Sequence, residues 1–115
     1  MIDQADLRIV KLMIEKIDRL IEIVNKHSKE EIENNYVVGD SLQFEFEKLY
    51  EDSTRLSSEF RMNNNWLHID DLRSIRNRVA HNYESVSLTI LIDTVNNDIP
   101  LIKEELEQII NNSYK

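Results

Sequence analysis

Val10, Met13, Ile17, Leu20 and Val24 step by three and four along the chain, the spacing of one buried helix face. Leu7, Ile14 and Ile21 widen that stripe, while Ile9, Leu12 and Ile23 fall partly outside it. The pattern predicts one long helix from residue 3 to about residue 27. A helix apolar on more than one side has two uses. It can fill a broad core face within its own chain, or it can also contact a second chain. A loop is expected over residues 34–39, with Gly39 supplying a left-handed backbone. Asp40 or Ser41 would then cap a second helix to about Met62, burying Leu42, Phe46, Leu49, Leu56 and Phe60. Asn63, Asn64 and Asn65 end it, because their amides compete for backbone hydrogen bonds.

A third helix is expected after a cap at Asp70 or Asp71. Residues 82–87 read as a turn, and Ser87 caps a fourth helix through Leu88, Leu91, Ile92 and Val95. Pro100 follows Asp98 by two, which favours a break or sharp kink before Leu101, Ile102, Leu106, Ile109 and Ile110. The expected architecture is a single all-α domain over residues 1–115, a bundle of four to five helices.

Composition supports this reading. One glycine and one proline in 115 residues leave too few turn formers for a β-rich fold. The absence of cysteine excludes a disulfide scaffold, thiol catalysis and Cys-based zinc sites. It fits a reducing compartment, and a cytoplasmic location is expected. No apolar run reaches bilayer length, so no membrane partner is expected. The first residues, Met1-Ile2-Asp3-Gln4, lack the basic and apolar regions of a secretory signal. A net charge of -8 argues against broad wrapping of nucleic acid, which needs a basic surface. A local basic site remains open, since Arg73, Arg76, Arg78 and His81 lie close together in sequence.

Those residues carry the candidate chemistry. The run Arg76-Asn77-Arg78-Val79-Ala80-His81-Asn82-Tyr83 joins a permanently charged guanidinium to an imidazole that titrates near neutral pH. Such a pair can stabilise a phosphoryl transition state and move its protons without a metal. On one ideal helix, however, Arg76 and His81 point about 140° apart. Asn77 and His81 share a face, as do Arg76 and Tyr83. Two arrangements bring Arg76 and His81 together: a helix ending near Ala80, or two copies of the motif meeting across a dimer.

From about Arg55 to Ile110 the chain resembles the HepT toxins of the HEPN superfamily. The matching residues run from Arg55 to Phe60, from Trp66 to Ile69 and from Leu72 to Tyr83, then Val86, Leu88 and Asp98 to Ile102. The family signature is an arginine, a polar residue, three more, a histidine, one residue and a tyrosine. Arg76, Asn77, His81 and Tyr83 satisfy it. The resemblance implies a compact helical homodimer, or a higher oligomer, acting as a metal-independent endoribonuclease of a toxin–antitoxin system. It needs no cofactor. Its implied partners are RNA and an MNT-type nucleotidyltransferase antitoxin, which neutralises the toxin by attaching AMP to Tyr83. Arg76 and His81 become the implied catalytic residues, supported by Asn77, Arg73 and Arg78. One stretch departs from the family. Members carry an Ile-Gly-Glu-Ala-like run in helix two, and the corresponding stretch here, about Lys48 to Asp52, has no glycine. The alternative reading is a non-catalytic nucleotide-binding or adaptor module that partners a nucleotidyltransferase.

Other candidates have simpler readings. His68 with Asp70 and Asp71 has a spacing that suits no single helix face, so no metal site is expected. His27 sits at a helix end, where a cation favours the dipole. Trp66 is expected as an apolar anchor closing its loop over the bundle, rather than a platform for a base. Lys103, Glu104, Glu105 and Glu107 read as a solvated face.

Overall fold

Asp3 opens the longest helix by accepting a hydrogen bond from the Ala5 amide through its side chain, at 3.1 Å. The structure, a computed structural model, describes residues 2–80 and 88–113. Among these residues it shows α1 (Gln4–Lys26), α2 (Lys29–Asn34), α3 (Tyr36–Thr54), α4 (Ser58–Asn63), a 3₁₀ turn (His68–Asp70), α5 (Asp71–Ala80), α6 (Leu88–Asn97) and α7 (Ile99–Ser113). There is no strand among them, as the sequence pattern predicts. α1 lies at the centre, packed against α3, α6 and α7, while α5 packs on α6 and α3. The molecule measures 45 × 27 × 20 Å.

The apolar stripe of α1 enters the core as expected: Val10, Met13, Ile17 and Leu20 are fully buried. Ile9 is buried too, and Ile14, Ile21, Ile23 and Val24 pack against the same core. Most of the helix's extra apolar surface is therefore used within the chain.

The helices among the described residues outnumber the four to five expected, for two local reasons. The first is α2, capped by Ser28, whose hydroxyl accepts from the Glu31 amide. The second is the division of the expected second helix. Ser53 and Thr54 turn their hydroxyls back to the Tyr50 and Glu51 carbonyls, at 2.6 and 2.7 Å. α3 ends there, and Ser57 caps α4 by accepting from the Phe60 amide. Buried Asp6, on α1, holds this corner: its carboxylate accepts from the Ser57 amide at 2.9 Å and from the Ser57 hydroxyl at 2.6 Å. The break before Pro100 is present, with the proline in the first turn of α7.

Gly39 corrects the sequence reading. It lies inside α3, which Asn35 caps, and no described residue has positive φ. Space is what it provides. A Cβ there would sit 2.9 Å from the Ile32 carbonyl oxygen of α2 and 3.3 Å from a Leu88 methyl of α6. Glycine to alanine within a helix usually gains about 1 kcal/mol. Gly39→Ala is expected to reverse that sign and cost about 1–2 kcal/mol in urea unfolding, because the α2 backbone must move. A gain in stability would show that α2 yields freely.

Candidate active site

α5 carries the motif residues that the structure describes. Its buried face is Leu72, Ile75 and Val79, so the polar positions between them turn outward or to the flanks. Arg73 and Asn77, four apart, share the exposed side, and Arg76 lies on the flank beside them. Arg78 falls on the opposite flank, about 160° from Arg76 around the helix. The basic cluster read along the sequence thus divides: Arg73, Arg76 and Asn77 gather on one side, and Arg78 does not join them. His81 and Tyr83 lie outside the described residues, so the expected Arg76–His81 pair and the modification site are not placed.

Arg76 is fixed from α3. Its Nε lies 3.6 Å from Glu47 Oε1, an ion pair longer than a hydrogen bond. Its guanidinium carbon stands 5.4 Å from the centre of the Tyr50 ring, within cation–π range. The Nε atom is buried and makes no hydrogen bond to a described residue. No hydrogen bond among the described residues occupies Nη1 or Nη2, the donors suited to fork onto a phosphate. Sequence reasoning missed Glu47 and Tyr50. Both lie on α3, far along the chain from the motif, so no local spacing signals them.

The start of α5 is moored to α7. Glu105, expected on a solvated face, is instead buried on α7, where it accepts from the His68 amide at 2.9 Å and pairs with His68 Nδ1 at 2.6 Å. Arg61 adds a brace, reaching Asp70 at 2.7 Å and the Ser53 carbonyl. The Glu105 carboxylate raises the His68 pKa above 6.5, first by its hydrogen bond and then by its charge. A raised folded-state value favours folding below the unfolded pKa, and that contribution fades as pH rises through the folded value. The gap in melting temperature between wild type and His68→Ala should be widest below pH 6.5 and narrow above it. A gap that stays constant to pH 9 would mean the pair is not ionic. His68 thus ties the start of α5 to α7. Among the described residues, no three His, Asp or Glu side chains group to hold a metal ion.

Trp66 departs from its expected role. It is 45% exposed, and Leu67 and Ile69 supply the buried contacts of that loop instead. The indole lines a surface cavity of about 400 Å³ with Phe60, Ile109, Asn63, Asn112 and Glu59. None of the motif arginines lines it.

No described helix is long and apolar enough to cross a membrane. A family model described as ribonuclease HepT-like matches residues 13–109. No curated protein and no solved structure gives a significant match.

Proposed function

The chain belongs to the ribonuclease HepT-like family, and from that premise we propose that it is a metal-independent endoribonuclease, the toxin of a toxin–antitoxin pair. The observation that carries the reading is Arg76. It is anchored from α3, its two Nη groups are unoccupied by described residues, and it stands beside Arg73 and Asn77. His81 lies five positions after Arg76 in the sequence.

The substrate supplies its own nucleophile. The ribose 2′-hydroxyl attacks the adjacent phosphorus, its proton passing to His81 or its counterpart in a second chain. The bond from phosphorus to the 5′-oxygen breaks, and that oxygen takes a proton as it leaves. Arg76 binds the non-bridging oxygens and gains strength as their charge rises. Asn77 orients the phosphate, and Arg73 holds the neighbouring backbone. Arg78, on the other flank, contacts a more distant phosphate. A homodimer in which each site draws on both chains removes the 140° conflict within one ideal helix. Tyr83 is the residue an adjacent nucleotidyltransferase would modify with AMP.

Purified protein should cleave end-labelled RNA in EDTA, leaving a 2′,3′-cyclic phosphate and a 5′-hydroxyl. Co-expression with an MNT-type nucleotidyltransferase should add about 329 Da, or multiples of it, at Tyr83 and abolish cleavage. Modification of a protein that never cleaves RNA would instead favour an adaptor.

A further inference from the structure

Arginine carries a long, mobile side chain whose ordering opposes binding. A site that orders it beforehand holds the guanidinium ready for the transition state. α3 provides that ordering with two residues on one face, three apart. The Tyr50 ring lies 5.4 Å from the Arg76 guanidinium carbon, and Glu47 lies 3.6 Å from its Nε. Tyr50 is itself seated, packed partly buried against the core.

We infer that Glu47 and Tyr50 are positioning residues of the RNA-cleaving site, which present Arg76 to the scissile phosphate end-on, through Nη1 and Nη2. The inference rests on the ribonuclease reading and adds a direction of approach to it. An arginine can grip a phosphate along either of two edges, Nε with one Nη or the two Nη groups together. Burial of Nε beside Glu47 closes the first edge, since a phosphate there would meet a carboxylate and a filled space. The outer edge remains.

The test combines kinetics with a direct view of Arg76. Tyr50→Leu and Glu47→Gln should each lower kcat for RNA cleavage about tenfold, since misplacement acts on the chemical step. KM should change by less than about threefold, and in Glu47→Gln it should not rise, because a negative charge near the phosphate is gone. Tyr50→Phe keeps the ring and should restore kcat to within about twofold. In the NMR spectrum of the wild type, the Arg76 Hε–Nε resonance should be displaced by the ring current and should exchange slowly with water. Tyr50→Leu should return it to the envelope of free arginines, and Tyr50→Phe should not. Wild-type kcat in folded Tyr50→Leu overturns the inference, as does an undisplaced Arg76 resonance in the wild type. If Tyr50→Leu does not fold, Tyr50→Phe and the wild-type spectrum still decide. If the wild type cleaves no RNA, the ribonuclease reading falls, and the resonance alone reports whether Tyr50 holds Arg76.

Discussion

Arg76→Ala is expected to slow RNA cleavage in EDTA by about 10²–10³-fold, the usual cost of losing a donor to developing charge. Arg76→Lys should recover little of this. Lysine keeps the charge but lacks the planar fork and cannot stack on Tyr50 as a guanidinium does. His81→Ala should lose about 10²–10⁴-fold by removing proton transfer. The double variant should be scarcely worse than the more damaged single one, because the two groups serve one transition state. Melting temperatures should move little in the Arg76 variants, as its ion pair is half exposed. Equal activity in wild type and His81→Ala would sink the ribonuclease assignment.

The largest effect on stability is expected at the ion pair between α1 and α3. Lys16 Nζ lies 2.9 Å from Asp52 Oδ2, a charge contact whose angles do not make it a hydrogen bond, with side chains only 15% and 7% exposed. Arg55 reaches the other Asp52 oxygen at 3.2 Å, but from an exposed position. Lys16→Ala leaves that carboxylate buried with its weaker partner, at a cost of about 3 kcal/mol. For a domain of this size the melting temperature should fall by about 10 °C. Lys16→Met combined with Asp52→Leu should melt closer to wild type than either single variant. Apolar groups of similar volume need no partner. Additive losses in this cycle would show that the pair contributes nothing of its own.

What the sequence discloses about the fold depends on how far apart the interacting residues lie. The stripe from Leu7 to Leu20 repeats within one helix and can be read directly. So can the break before Pro100, since proline acts on its own backbone. The corner between α3 and α4 cannot. Leu49, Leu56 and Phe60 keep a helical spacing through it, and the chain turns because Ser57 meets Asp6, 51 positions away. The role of Gly39 is hidden for a related reason, since its neighbours Ile32 and Leu88 come from two other helices. At the site, the motif arginines are plain in the sequence because they fall within one helix. The residues that hold Arg76 come from another element, as does Glu105, which moors His68. The local spacing also grouped Arg78 with Arg76, and only the helix sets them on opposite flanks.

The 45 × 27 × 20 Å outline bears on how a second chain would be detected. The radius of gyration is 14.6 Å, against about 13 Å for a rounder domain of this length. An elongated particle meets more drag than a sphere of equal mass, so a single chain should leave a gel-filtration column early and pass for something heavier. Sedimentation equilibrium or light scattering, which weigh the particle, therefore have to settle its stoichiometry. The elution volume then becomes informative in another way. Two such rods joined side by side make a stubbier body than two joined end to end, and their friction would tell the arrangements apart.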